Sequence, residues 1–238
     1  MTLPTRPYQP LLLRILHGVT GVSAIAAILT AAWTFDTYDA RWIDLPLPHW
    51  PDIEGIHGTF GLYALLVFPL LVLYAFRQGD RRLAQPDSLA TLTHTSPARP
   101  VWWYALHRCT NTAMLLAMTF ALFSGKMMDS GWLPRGETHH AWYLTHLVSW
   151  VVLVLALGLH LLMSAKVGGQ PLLLSMMDWR FREKDDPRHW PGHIAQTWHR
   201  HQFNTLRGWL AWARSVKLLE ALILVAIALA WIIPIFKY

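Results

Sequence analysis

Five long apolar stretches, at about residues 11–34, 56–76, 103–125, 141–165 and 217–236, leave this chain few folds to choose from. Each is long enough to cross roughly 30 Å of hydrocarbon as a helix of about 20 residues. With 54% of its 238 residues hydrophobic, the chain has little left over for a soluble domain. The expectation is an all-α, integral membrane helical bundle.

The formal charge of +6 raises the question of nucleic acid, and the placement of the charges answers it. If the five helices alternate in direction, all of the 20 Lys and Arg residues except Arg41, Lys126, Arg135 and Lys237 fall on one side. Cytoplasmic loops collect Lys and Arg, so the amino terminus and the second and fourth connections are read as cytoplasmic and the carboxyl terminus as outside. The first outside connection is acidic, with Asp36, Asp39, Asp44, Asp52 and Glu54. Membrane topology accounts for this pattern, and no nucleic-acid partner is expected. A signal peptide is the competing reading of the first stretch, since Arg14 precedes an apolar run with small residues such as Ala31 and Ala32. The run is long for such a peptide. A single cysteine, Cys109, excludes an internal disulfide, covalent c-type haem and four-cysteine iron–sulfur ligation within this chain.

Three regions follow: a bundle over 1–166, a cytoplasmic connection over 167–216 and a last membrane helix over 217–238. The stretch QPDSLATLTHTSPARP within 78–100 reads as an irregular loop. In 167–216, a turn-forming REKDDPRHWPGH precedes IAQTWHRHQFNTLRGWLAWARS, where Trp198, Trp209 and Trp212 alternate with Arg200, Arg207 and Arg214. That mixture suits a helix lying on membrane lipid, rings toward the acyl chains and charges toward anionic headgroups. A solvated surface helix is the alternative.

Thirteen histidines are present, and most sit in polar connections. His17, His57, His107, His146 and His160 fall inside apolar runs, where an ionisable side chain faces the bundle interior with a partner. His146 and His160 are fourteen residues apart, which returns them to one helix face about 21 Å apart along the axis. Each then lies near one surface of the hydrocarbon. With alternating helices, His17 comes level with His160 at the cytoplasmic side and His57 level with His146 at the outer side. Neutral imidazoles on both faces of an iron are the ligation of a low-spin b-type haem, a centre suited to electron transfer. Any single one of these histidines could instead make an interhelical hydrogen bond. A zinc or proton-relay site would call for nearby carboxylates, of which the spans hold little beyond Glu220. Gly18, Gly21, Gly55, Gly58, Gly61 and Gly158 beside the histidines would admit a flat macrocycle, and they would also serve bare helix packing.

The order of RxxH (Arg14 to His17), H-G-x-x-G-L (His57 to Leu62), Ser124-Gly125 and H-x13-H (His146, His160) resembles the di-haem membrane cytochrome b family. That family includes bacterial cytochrome b561 and the cytochrome subunits of formate dehydrogenase and nickel-iron hydrogenase. The likeness covers roughly residues 10–180, including AKVGGQPLLLSMM. It implies a four-helix di-haem core plus a fifth transmembrane helix, with two non-covalent haems b held by His17, His160, His57 and His146. It also implies quinone as substrate and a redox partner subunit. Where formate dehydrogenase cytochromes hold quinone with Asn-Ala-Gly-Gln, this chain has YALHRCTN, which makes His107 and Arg108 the candidates near quinone and the inner haem. Arg14 is a candidate for an inner propionate.

The sequence thus points to electron transfer between a quinone pool and a partner, in a bacterial inner or thylakoid membrane. No flavin, nicotinamide or cluster motif is present, so substrate oxidation belongs elsewhere. Two alternatives are a stand-alone quinone reductase using a small donor such as superoxide, attracted by Lys126 and Arg135, and a structural subunit whose haems or other pigments stabilise a larger complex.

Overall fold

The computed structural model describes residues 7–42, 44–128 and 139–236, and those residues form helices and connections without strands. Two long helices open the chain, α1 (Leu11–Tyr38) and α2 (Ile53–Arg77). A short α3 (Ser88–His94) lies in the connection read as irregular, and α4 (Pro100–Lys126) follows, with Pro100 at its first position, where the missing N–H costs nothing. Next come α5 (Ala141–Ser175), α6 (Trp190–Arg200), α7 (Leu206–Arg214) and α8 (Leu218–Ile235). Four helices, α1, α2, α5 and α8, are long and apolar enough to cross a membrane. This makes the chain a multi-pass membrane protein. The 27-residue α4 is not among them, because Tyr104, His107, Arg108, Asn111 and several threonines dilute its apolar content.

Packing is most extensive between α1 and α2 and between α4 and α5, whereas α1 and α5 meet at few points. Two hairpins therefore face each other across a seam. Leu65, Phe68 and Val72 of α2, Leu115 and Met118 of α4, and Ile223 and Ile227 of α8 form one buried cluster. Outward faces are as apolar as the inside: Val22 and Leu29 are 69% and 66% exposed, and Leu66, Leu155 and Leu222 are exposed too. A belt of that kind is stable only against lipid.

The carboxyl-terminal helix is anchored on α2 and α4. Glu220, 1% exposed, accepts a 2.8 Å bond from Arg77 Nε at the end of α2, and Arg77 also donates to Ser215 Oγ at 2.9 Å. Lys217 pairs with Asp80 in the turn after α2. The isolated acid of the last span is thus half of an interhelical ion pair.

Two local features differ from the sequence reading. Helix α5 runs past residue 166, but Gly169 breaks it with φ 60°, ψ −164°, a conformation a residue with a side chain rarely takes, and Pro171 follows. The segment expected as one interfacial helix is two, α6 and α7. Gln202 turns the chain with φ 51°, and Thr205 caps α7 by accepting from Gly208 N–H at 3.1 Å. Gly208 is required there, since a Cβ would lie 2.1 Å from the Gln202 carbonyl oxygen. The tryptophans gather on Phe203 instead of lining one face: its ring centre is 4.8 Å from that of Trp209, 5.4 Å from Trp198 and 6.1 Å from Trp212. Arg77 lies over Trp212 at 5.0 Å, tying this aromatic knot to α2.

Replacing Glu220 by Gln strands Arg77 beside a poorer acceptor. The expected loss is about 1–3 kcal/mol of stability, read as a lower thermal midpoint in detergent, with Ala230→Ser on the same helix as a packing control. An unchanged midpoint would remove the ion pair from the anchoring of α8.

Candidate haem sites

Each histidine is positioned by its helix and by a hydrogen bond at Nδ1 or a ring partner across the seam. At one end, His57 of α2 and His146 of α5 stand with ring centres 6.0 Å apart, tilted by 57°. At the other, His17 of α1 and His160 of α5 are also 6.0 Å apart, tilted by 36°. Two metal–nitrogen bonds of about 2 Å, plus about 1.1 Å from each nitrogen to its ring centre, span about 6.2 Å. The ring-centre separation of both pairs is close to that span.

The tautomers can be worked out from the partners. His57 Nδ1 lies 3.0 Å from the Ala27 carbonyl oxygen, which can only accept, so Nδ1 carries the hydrogen and Nε2 keeps its lone pair. Thr30 Oγ1 stands 3.4 Å from the same nitrogen. His146 Nδ1 meets Ser124 Oγ at 3.0 Å and Ser149 Oγ at 3.4 Å. Ser124 donates to the Phe120 carbonyl at 2.8 Å and Ser149 to the His146 carbonyl at 2.7 Å, which leaves both oxygens to accept from the ring. His160 Nδ1 meets Asn111 Oδ1 at 3.1 Å, while Asn111 Nδ2 donates to the Arg82 carbonyl at 2.9 Å. In these three histidines the free nitrogen is Nε2, the arrangement that metal-ligating imidazoles adopt.

Glycines near them leave open space. A Cβ added at Gly18, Gly21, Gly55, Gly58, Gly61 or Gly158 would meet nothing within 4 Å. Gly125 is the opposite case: a Cβ there would sit 3.0 Å from His146 Cε1, so this glycine lets α4 close on the ring. Buried polar atoms without a partner among the described residues include Arg14 Nε, Gln9 Oε1 and Thr20 Oγ1, all on the chain around His17. Arg14 is 5% exposed, and its Nη2 donates to the Arg180 carbonyl at 2.8 Å. A buried cation whose Nε has no hydrogen-bond partner among the described residues, and whose charge also acts on Asp178, fits a site for an anionic group such as a propionate.

Of the remaining candidates, His107 is brought to the His17–His160 pair and Arg108 is not. His107 Nε2 lies 3.3 Å from Ser164 Oγ, which itself donates to the His160 carbonyl at 2.7 Å. Arg108 turns into a groove of 310 Å³ with Asp87, Ser88, Thr91 and Tyr104. Arg135 lies outside the described residues. Sequence reasoning missed Asn111, Ser149, Thr30 and the Ala27 carbonyl, and noted Ser124 only as part of the Ser124-Gly125 motif. Spacing could have found Asn111 and Ser164, which follow His107 and His160 by four residues each and so share their faces.

A model of the prokaryotic cytochrome b561 family matches residues 8–179, which include all four histidines and both helix hairpins. The chain belongs to that family. It is accordingly a membrane cytochrome that binds haem b and takes part in transmembrane electron transfer. No curated protein and no solved structure matches it.

A polar cluster lies at the His57–His146 end of the cytochrome. Asp39 binds Arg41 through both oxygens, at 2.5 and 2.8 Å, and accepts from Tyr143 Oη at 2.7 Å, one turn before His146. Burial pushes the Asp39 carboxyl up, but the bonds from Arg41 and Tyr143 outweigh it and hold it below the ordinary carboxylate value. Its stabilising effect is therefore complete above about pH 4 and disappears as pH falls through the lowered value. Asp39→Asn should flatten the acid limb of the melting-temperature profile, and an unaltered limb would assign acid sensitivity elsewhere. Gly125→Val should displace the His146 ring and reduce haem content in the pyridine haemochrome assay, whereas full occupancy would show that the ring has room to move.

Proposed function

We propose that the cytochrome is a di-haem electron conduit between a quinone pool and a redox partner. The observation that carries this reading is the pair of equal histidine separations at opposite ends of one straight helix stretch, 6.0 Å each. In this reading His17 and His160 hold an inner haem b, and His57 and His146 an outer one. Helix α4 completes the four-helix core as a fifth span with α8, and the amino terminus lies in the cytoplasm of a bacterium. The polar residues that lower its hydropathy support this placement, since His107, Asn111 and Ser124 all bond toward α5 and not toward lipid.

Haem b held by these histidines would supply one-electron exchange. The protein's share is to hold and insulate. Ala27, Asn111, Ser124 and Ser149 keep three imidazoles in the tautomer that offers Nε2. The glycines leave the flat space, and Arg14 supplies positive charge where an inner propionate would lie. His107, one turn from Asn111 and next to the inner pair, is the proposed contact for a quinone headgroup. A neutral imidazole there can form a hydrogen bond and exchange a proton as quinone changes redox state. The aromatic and cationic segment of α6 and α7, at the same end as Arg14, suits the membrane surface or the redox partner.

Purified protein in lipid discs should contain two haems b per chain, both reduced by quinol. His57→Ala or His146→Ala should remove one haem, and His17→Ala or His160→Ala the other, each leaving the remaining spectrum intact. Loss of both haems from every variant, or of neither, would overturn the two-site reading. His107→Ala should retain both haems yet slow quinol reduction at least tenfold, and an unchanged rate would move the quinone site away from it.

A further inference from the structure

The inner and outer histidines are held by different kinds of partner. His57 and His146 bond to a backbone carbonyl and to hydroxyls that belong to the long helices themselves. His160 bonds to Asn111, whose other end reaches out of the bundle to the Arg82 carbonyl in the turn after α2. An amide has one accepting and one donating end, and a carbonyl can only accept. The Arg82 carbonyl therefore fixes which way the amide points, the amide fixes the hydrogen on His160 Nδ1, and Nε2 is left with its lone pair free.

The Arg82 carbonyl is itself held in place. Ala84 N–H donates to Thr112 Oγ1 at 2.9 Å, one residue after Asn111 on α4. Gln85 Nε2 bridges the Asp80 and Leu83 carbonyls at 2.8 and 3.0 Å. Lys217, at the start of α8, pairs with Asp80. A turn clamped by α4, its own Gln85 and the base of α8 thus presents one carbonyl oxygen to one amide.

We propose that Asn111 is a positioning residue that sets the tautomer and basicity of His160, and through them the reduction potential of the inner haem. The inference rests on the assignment of His17 and His160 as ligands of that haem. An acceptor on Nδ1–H makes the imidazole a stronger donor at Nε2, which favours the ferric ion and lowers the potential. The turn 80–85 is then part of the inner redox site through its backbone, beside the charge of Arg82, which acts on His17. A docking partner or a change at the base of α8 that shifts this turn would shift the potential too.

The test is an optical redox titration of the full-length protein in lipid discs, with electron paramagnetic resonance of the ferric state. The component missing from His160→Ala identifies the inner haem. Asn111→Leu, of similar volume but without an acceptor, should raise the potential of that component and change its largest g value, leaving the outer component unmoved. Thr112→Val, which frees the turn and keeps Asn111, should shift the same component upward by less. An Asn111→Leu protein with unmoved inner potential and g value, or with both components shifted equally, would overturn the proposal. If Asn111→Leu does not assemble, Thr112→Val decides in the same way. If His160→Ala loses no component, the ligand assignment itself fails and the proposal with it, an outcome distinct from an intact assignment with an insensitive Asn111.

Discussion

The bundle depends on the register in which α5 lies against α4. In that antiparallel alignment, stepping four residues up α4 from His107 to Asn111 matches stepping four residues back along α5 from Ser164 to His160. The same alignment, carried toward the other end, puts Ser124 and Gly125 against His146. A slide of one helical turn would break all of these bonds together and would leave two imidazoles unsatisfied at membrane depth, where each unmade bond is costly. Apolar packing alone does not choose between such registers. The polar residues of α4 do, which explains why the least apolar of the long helices sits against the one that carries two histidines.

The two ends of the bundle differ in a way that follows from their charges. At the His57–His146 end Asp39, Arg41 and Tyr143 form a polar cluster one turn from His146. At the His17–His160 end Arg14 is buried and its charge acts on Asp178, and Tyr8 gathers the segment after the Gly169 break through Asp185 and the Arg182 guanidinium, 4.1 Å from its ring. The His57–His146 end pairs Asp39 with Arg41; at the other, Arg14 keeps an Nε without a hydrogen-bond partner among the described residues, as a binding site for an anionic group requires.

The histidine pairing was legible in the sequence because it needs only helix periodicity and alternating direction: fourteen residues return to one face, and direction sets depth. The family resemblance was legible in the order of the motifs, and the family match over residues 8–179 agrees with it. What holds the rings was not legible. Whether His160 meets Asn111 or another neighbour depends on how α4 is rotated and translated on α5, which hydropathy does not encode. The partner of Glu220 was hidden for the same reason, since Arg77 is 143 residues away. The division of α6 from α7 turned on a left-handed Gln202 and a close approach at Gly208, local backbone geometry that a reading of aromatic and cationic alternation passes over.

Iron itself gives the most direct measurement. Anomalous scattering at the iron edge, from crystals of the haem-loaded protein, should show two peaks about 21 Å apart, a spacing set by fourteen residues of α5. One should lie between His17 and His160 and the other between His57 and His146. A single peak, or iron away from these ring pairs, would contradict the arrangement.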